Sequence, residues 1–337
     1  MSLKKVVACI KSHKQFLITA HTNLEGDALG AELAFWHLLK AMSKRATIVN
    51  ADNLPYGYEF LPGINNIKKF NRKFFAEGES AKGGKQNLKN LKFDCLVILD
   101  CSDLARCGEV SGINLNNKTI LNIDHHISNG RFGDINWVQP HGSSTSEMVY
   151  KLYKKLDIPF NKNIATLLYT GILADTGSFR YSNTSSLTHK IASELIKYGL
   201  DVVKIYKQVY ENIPVSDMKL LIKILPALRR DASGKIVWFQ IKRNMLKNKR
   251  LSFDLSEHIL SFGRAIKDME VCVLFKENLG VKNEVRVNFR SHGLVDVNKI
   301  AQFFGGGGHK TASGATIKGK IDQVRKKVLA KIRESLK

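Results

Sequence analysis

The sequence predicts an α/β protein: an N-terminal doubly wound, mainly parallel sheet, joined by a helical connector to a smaller α/β domain. Three observations predict it. Short apolar runs alternate with helical patterns through the first half, a nearly continuous helical stretch occupies 187–225, and strand-like runs return in the last third. Parallel strands need long crossovers, and helical crossovers cover the sheet faces, so this alternation selects a doubly wound sheet.

The elements follow in order. FLITA (16–20) is a short apolar run of the kind buried on both faces in a parallel sheet. A turn follows, then a helical pattern, ALGAELAFWHLLKAM (28–42). ATIVN (46–50), CLVILD (95–100) and TILNID (119–124) are three more strands. SSTSEMVYKLYKKL (143–156) reads as a helix opened by Ser/Thr caps, and NIATLLYTGILADTG (163–177) as a helix ending near Asp175. Between the second and third strands, AEGESAKGGKQNLKN (76–90) is polar and Gly-rich, as a surface excursion is. Gly199 and Pro214 punctuate the helical stretch at 187–225. Beyond it, KIVWFQI (235–241), MEVCVLF (269–275) and EVRVNFR (284–290) read as strands. VNKIAQFFGGGGH (297–309) reads as a helix running into a glycine loop, and the chain closes on an amphipathic helix from 321. The expected division is therefore 1–186, a connector at 187–225, and 226–337.

Composition bounds the function. With 44% hydrophobic and 25% charged residues among 337, the chain is globular and not disordered. Its formal charge of +23 favours polyanionic partners, although the lysines are spread along the chain and form no dedicated tail. No apolar run approaches the roughly 18 residues of a membrane span, so no membrane partner is expected. The apolar stretch after the basic N-terminus is too short for a signal peptide. The five cysteines include no CxxC pair, and Cys9, Cys95 and Cys272 lie in apolar runs. They read as reduced core residues of a cytoplasmic protein.

The chemistry-bearing residues gather at strand ends. The first strand delivers His21, with Glu25 and Asp27 in the turn after it; CLVILD ends on Asp100; TILNID ends on Asp124 and is followed by His125 and His126; the helix after Ile164 ends on Asp175. In an open α/β sheet the carboxyl ends of the strands form the ligand-binding edge. Four segments thus aim acids and imidazoles at one place. Clustered carboxylates repel unless some hold protons or bind cations. Mixed carboxylate and imidazole donors suit Mn²⁺, with Mg²⁺ or another divalent ion as substitute. Two ions about 3.5–4 Å apart can clamp an in-line phosphoryl displacement. Each residue alone has a blander reading: a strand-end Asp commonly caps the next helix, and a His at a turn is commonly satisfied locally. Convergence on one sheet edge is what those readings do not explain.

The motifs resemble those of the DHH/DHHA1 phosphoesterases. IDHH (123–126) matches the DHH signature; HTNLEGDALG (21–30), LDCSD (99–103) and LADTGSFRYSNTS (173–185) resemble the family's first, second and fourth motifs. The segment 286–315, with its RS, DVxxIA and GGGGH elements, resembles the DHHA1 domain. The resemblance spans nearly the whole chain in the expected order. It implies that His21, Glu25 and Asp100 hold one metal, and that Asp27, Asp100, His125 and Asp175 hold the other. His126 would face the scissile phosphate, with Asp124 orienting it. Arg290, Ser291, Gly305, Gly306, Gly307, Gly308 and His309 would hold the nucleotide. Two positions depart from the pattern: Glu25 stands where Asp is common, and Leu24 where Pro is common.

A chain with only these two domains resembles the nanoRNase/pAp phosphatase group, whose members degrade oligoribonucleotides of a few residues and remove the 3′-phosphate of 3′-phosphoadenosine 5′-phosphate (pAp). The resemblance thus implies a short RNA or nucleotide substrate, with a homodimer as a compatible assembly. The first alternative is hydrolysis of a cyclic dinucleotide or its linear product. The rival from another class is a non-catalytic RNA-binding protein. The +23 charge supports that rival, but it gives the clustered carboxylates no purpose, since they would repel phosphate.

Overall fold

The structure, a computed structural model, describes residues 3–71, 92–113, 117–246, 255–278 and 280–336. The polar excursion expected at 76–90 lies outside the described residues. The chain forms two compact units, Met1–Asn212 and Ile213–Lys337.

The first unit is a parallel sheet. Its strands are β1 (Gln15–Thr19), β2 (Arg45–Asn50), β3 (Ile67–Lys69), β4 (Cys95–Leu99), β5 (Thr119–Asp124) and β6 (Ile135–Val138), in the order β3-β2-β1-β4-β5-β6. The chain builds outward from β1 to β3, then returns to the other side of β1 and builds outward again through β6. The order therefore reverses between β1 and β4, which pair through Phe16–Cys95 to Thr19–Ile98. Sequence reading finds β1, β2, β4 and β5 but misses β3 and β6, whose three and four residues are too short to set a period.

The helices of this unit are α1 (Leu3–Ser12), α2 (Gly26–Ala41), α3 (Thr145–Leu156), α4 (Lys162–Asp175), α5 (Ser186–Ile196) and α6 (Val202–Tyr210). Successive strand residues face opposite sides. Phe16, Ile18, Val97, Leu99, Leu121 and Ile123 join one core with α1 to α4, while Leu17, Val49, Leu96 and Ile98 face a smaller core with Cys101, Cys107 and Val110. A 3₁₀ segment, Leu104–Ile113, covers that second face. Helix α2 is apolar nearly all round because it is enclosed between the sheet, α3 and α4. Gly30 lets α2 approach α4: a methyl group there would lie 2.5 Å from the Leu167 carbonyl oxygen.

The punctuation at Gly199 and Pro214 holds. Gly199 takes φ +76° after α5, and Pro214 precedes α7 (Val215–Ile224). The unit division falls between α6 and α7, inside the 187–225 stretch.

The second unit holds α7, α8 (Ser256–Arg264), α9 (Val297–Phe303) and α10 (Ile321–Ser335). Its mixed sheet comprises β7 (Arg229–Arg230), β8 (Ile236–Ile241), β9 (Val271–Glu277), β10 (Glu284–Ser291), β11 (Gly307–His309) and β12 (Ala312–Lys318), in the order β11-β12-β10-β9-β8-β7. Val271, Val273, Val285, Val287 and Phe289 pack with α9 and α10; Val237, Phe239, Cys272 and Leu274 pack with α7 and α8. One expectation is corrected here. The glycine run is not all loop, because Gly307–His309 forms an edge strand on β12. Its glycines have a packing reason of their own: a methyl group at Gly306 would lie 2.2 Å from the Gly314 oxygen, and one at Gly308 would lie 2.5 Å from the Ala312 oxygen.

Candidate metal and phosphate site

The reversal between β1 and β4 leaves a crevice at their carboxyl ends, the position where open α/β sheets bind ligands. His21 follows β1 and Asp100 follows β4, so the two face each other across it. The His21 Nδ1 bonds the Thr22 carbonyl at 2.7 Å and must donate there, which leaves Nε2 pointing to Asp100 Oδ2 at 3.4 Å. Burial opposes charge on the imidazole, but the hydrogen bond and charge of Asp100 outweigh it and raise the His21 pKa to about 9.

Asp100 is the centre of the cluster. Its backbone has φ +54°, a left-handed conformation that costs a non-glycine residue on the order of 1–2 kcal/mol. Surrounding contacts hold it there: its N–H donates to the Ile123 oxygen, and Oδ1 accepts from Thr145 Oγ1 at 3.0 Å. Oδ1 lies 3.6 Å from His125 Nε2, so the two oxygens of one carboxylate face two different imidazoles. Burial would raise this acid, yet the His21 hydrogen bond and the charges of His126, His21 and His125 hold it well below the usual carboxylate range.

Asp27, in the first turn of α2, accepts from the backbone N–H groups of Thr145 at 2.6 Å and Ser146 at 2.8 Å. It therefore caps α3 and not its own helix. A carboxylate at a helix N-terminus gains at most about 2 kcal/mol. Burial and the neighbouring Asp100 charge outweigh that gain and push Asp27 up to about 7. His125 bonds the Gly142 carbonyl through Nδ1 at 3.1 Å. Its Nε2 is thereby aimed at Asp175 (3.3 Å), Asp100 (3.6 Å) and Asp27 (4.0 Å). Burial again opposes its charge, and Asp175, Asp100 and Asp27 together raise it to about 10. Burial also raises Asp175, which ends α4 and accepts from Asn183 Nδ2 at 3.3 Å.

His126 is turned differently from its neighbour. Its Nδ1 bonds Asp124 Oδ1 at 2.7 Å, which turns Nε2 away from Asp124. Asp124 is fully buried and also accepts from Asn129 Nδ2 at 2.6 Å and from the His125 N–H. Glu25 is exposed at the N-cap of α2, and a carboxylate oxygen lies within reach of the His21 and Asp100 donors.

Among the described residues of this unit, three donor groups result at this edge, each with ligand atoms within 4.8 Å of one another: His21, Glu25 and Asp100; Asp27, His125 and Asp175; Asp100, Asp124 and His126. The residues fit divalent ions. Five acids and three imidazoles meet here, all buried except Glu25 and Asp175, and the described residues bring only the long 3.4 Å approach of His21 Nε2 to the buried Asp100 Oδ2. Sequence reading misses the supporting residues. Thr145 and Ser146 are legible as caps, but their backbone grip on Asp27 spans more than a hundred residues. Glu32, fully buried on α2, takes a 2.8 Å hydrogen bond from Asn50, which in turn accepts from Thr19 and from the Ala20 N–H just before His21. The signal for Glu32 is an acid inside an otherwise apolar helix.

The residues picked in the second unit share a row. Ala312 pairs with Arg290 on one side and His309 on the other. Directly paired residues project to the same face of a sheet, so Arg290 and His309 flank a small residue on one face. Arg290 forms an ion pair with Glu257. Ser291 is buried, and its hydroxyl donates to the Val295 oxygen at 2.8 Å, tying the turn that follows β10. Gly305 takes φ +76° at the end of α9.

Comparison with known proteins agrees with this layout. Residues 15–172 match the model of the DHH family, N-terminal domain, and residues 245–337 match the DHHA1 domain. The chain is 35% identical over 319 residues to the bifunctional oligoribonuclease and PAP phosphatase NrnA of Bacillus subtilis, covering 93% of this chain and 92% of that one. It is 31% identical over 320 residues to the protein of the same name from Thermus thermophilus, covering 95% and 89%. The crystal structure of an exopolyphosphatase-related protein from Bacteroides fragilis superposes with a TM-score of 0.82 at 25% identity, covering 99% of this chain and 94% of the other. Motifs, topology and relatives converge: the chain belongs to the DHH family of phosphoesterases, with a DHHA1 domain in its second unit.

Proposed function

We propose that this protein hydrolyses short oligoribonucleotides to mononucleotides and removes the 3′-phosphate of pAp, using two divalent ions, Mn²⁺ above all. One observation carries the reading. His21, Glu25, Asp27, Asp100, His125 and Asp175 meet at the strand reversal, while the His126 ring beside them is turned by its Nδ1 bond to Asp124. The relatives from Bacillus subtilis and Thermus thermophilus, named as oligoribonuclease and PAP phosphatase over nearly their whole length, support the substrate class. The charge of +23 suits a polyanionic substrate.

His21, Glu25 and Asp100 would hold one ion, and Asp27, Asp100, His125 and Asp175 the other, with Asp100 shared. Such a pair supplies an activated water at neutral pH and neutralises charge on the reacting phosphate. The protein does the rest. The backbone bonds of Thr145 and Ser146 fix Asp27, and the Gly142 carbonyl fixes the His125 ring. His126 presents Nε2 to the phosphate, where it binds an oxygen or gives a proton to the 3′-oxygen as the P–O bond breaks. Asp124 keeps the ring turned for that task and stabilises it when charged. In the second unit, Arg290 and His309 would bind the nucleotide, with the Gly305, Gly306, Gly307 and Gly308 run allowing its close approach and Ser291 shaping the turn; the N–H groups of Gly305 and Gly306 already donate to the Gln302 and Ala301 carbonyls.

The test is product analysis. The protein is incubated with Mn²⁺ and, separately, pAp, a dinucleotide, a pentanucleotide, RNA of about 20 residues and cyclic di-AMP. We expect mononucleotides from the two short RNAs and AMP from pAp, with slow attack on the long strand. Turnover of cyclic di-AMP in preference to the others would replace this reading with the cyclic dinucleotide one. Binding of RNA without any product would replace it with the non-catalytic one.

A further inference from the structure

A second group of metal-capable side chains lies at the opposite edge of the first sheet. Cys9 and His13 stand four residues apart at the end of α1, a spacing that places both on one helical face. Cys95 opens β4 at the amino end of the strand, away from the carboxyl-end cluster. Cys9 Sγ lies 3.6 Å from His13 Nδ1 and 4.0 Å from Cys95 Sγ, and all three donor atoms fall within 4.8 Å of one another. Both thiols are buried and unpaired as disulfides, while His13 is half-buried and open to solvent on one side.

We propose that Cys9, His13 and Cys95 form a site for a thiophilic divalent cation, Zn²⁺ in the first instance, that ties the N-terminal helix to the foot of β4. The spacing fits that ion. Tetrahedral Zn²⁺ with bonds of about 2.3 Å to sulfur and 2.0–2.1 Å to nitrogen places two sulfurs about 3.8 Å apart and sulfur and nitrogen about 3.6 Å apart. The protein offers 4.0 and 3.6 Å without rearrangement. Two thiolates and an imidazole form a soft donor set, unlike the carboxylate-rich cluster at the other edge, so the two sites sort ions by chemistry. The fourth position belongs to water on the exposed side of His13. Asp94 does not fill it, because its two oxygens accept from the backbone N–H groups of Lys14 and Gln15 at 2.9 and 3.0 Å.

The protons balance. Each thiol gives up its proton as the cation binds, so one bound ion releases two protons. His13 Nδ1 now donates to the Cys9 carbonyl at 2.8 Å. On binding, the imidazole proton moves to Nε2 and the lone pair on Nδ1 turns to the ion.

The test uses Co²⁺, whose near-ultraviolet charge-transfer band reports thiolate ligation and is silent for carboxylate and imidazole sites. Titration of the full-length reduced protein is expected to raise that band to one equivalent, and Zn²⁺ to abolish it by displacement. Cys9→Ala or Cys95→Ala should remove the band with the circular-dichroism spectrum kept. His13→Ala, a change at a half-exposed position that leaves the core intact, should weaken Co²⁺ binding by at least about 10-fold. Replacing both Cys101 and Cys107 by Ala should leave the band unchanged, and Zn²⁺ added to protein already saturated with Mn²⁺ should raise Tm more in the wild type than in the Cys95→Ala variant. Absence of a thiolate band in the folded wild type would overturn the proposal and leave Cys9 and Cys95 as core thiols in contact. So would a band that survives Cys95→Ala and disappears with the Cys101 and Cys107 replacements.

Discussion

His125 and Arg290 occupy two different kinds of place. The His125 ring is enclosed, its Nδ1 fixed by the Gly142 carbonyl and its Nε2 surrounded by three carboxylates. Arg290 stands on a sheet face, tied to the Phe289 carbonyl and to the half-exposed Glu257. The first arrangement is expensive in isolation: it stacks buried charges whose pKa values are driven far from normal, and it holds Asp100 in a left-handed backbone. The second is a single ion pair between a largely covered guanidinium and an exposed carboxylate. Strain and buried charge of the first kind accumulate where reacting atoms must be held in one geometry. A recognition surface has no such need, because it must admit and release the substrate. The contrast predicts a hierarchy of effects on turnover.

The largest falls at the shared carboxylate. Asp100→Ala removes a group placed between both imidazole-bearing donor sets, so both ions should be lost together. Loss of several kcal/mol of transition-state stabilisation corresponds to about 10³-fold or more in kcat. A chelator should reproduce it in the wild type, and added Mn²⁺ should restore the wild type alone. Full activity in chelator, with metal content verified as zero, would break the comparison at its root.

Next come the adjacent imidazoles. His126→Ala should lower kcat by roughly 10²–10⁴-fold with metal content kept, the usual worth of a positioned proton donor. His125→Ala should lower metal content instead. Measured stoichiometry and rate on the two variants decide the assignment, and the reverse pattern would exchange the roles of the two rings.

Why were these residues legible, and others not? His21, Asp100, Asp124 and His125 each end or follow an apolar run long enough to mark a strand, and strand polarity then fixes the edge they reach. Short strands carry no such signal: Ile67–Lys69 pairs with 48–50, and Gly307–His309 turns back on 312–314, each too short to set a period. A run of four glycines reads as a ligand loop because glycine permits close backbone approach; close packing on Gly314 and Ala312 is a tertiary fact invisible in the run itself. Cys101 follows Asp100 directly, yet its sulfur donates to the Asp103 carbonyl and faces Cys107 at 3.5 Å, outside the three donor groups. Cys9 and Cys95, 86 positions apart, meet only because α1 ends beside the foot of β4.

A smaller effect is expected on the second unit's face. Arg290→Ala and His309→Ala should slow pAp and dinucleotide turnover by roughly 10–100-fold, about 1–3 kcal/mol of lost positioning. Bis-p-nitrophenyl phosphate, which needs only the metal cluster, should suffer far less. Equal losses on both substrates would mean that Arg290 and His309 support the fold of their sheet and not the capture of a nucleotide.

The smallest effect on turnover is expected at Glu32, which separates burial from chemistry. It is fully buried beside the cluster but bonds only Asn50, so the comparison assigns it a place in the scaffold. Burial pushes its carboxyl up to about 8, against 4.5 for the free group. The folded state therefore keeps a proton that the unfolded chain releases. Between those two values the unfolded state binds fewer protons, and this group's contribution to stability falls as pH rises, by up to about 1.4 kcal/mol per unit. Below the unfolded pKa the contribution is complete, and above the folded pKa it has gone. Glu32→Gln mimics the protonated acid at every pH and keeps an oxygen for the Asn50 amide. The variant should match the wild type in kcat to within a few-fold at neutral pH. Its metal-free form should lose stability less steeply than the metal-free wild type between pH 5 and 8, as read from urea midpoints. Parallel curves for the two proteins would show that Glu32 is ionised in the fold. A loss of activity approaching that of Asp100→Ala would move it from the scaffold into the reacting cluster, and burial alone would no longer mark the boundary between them.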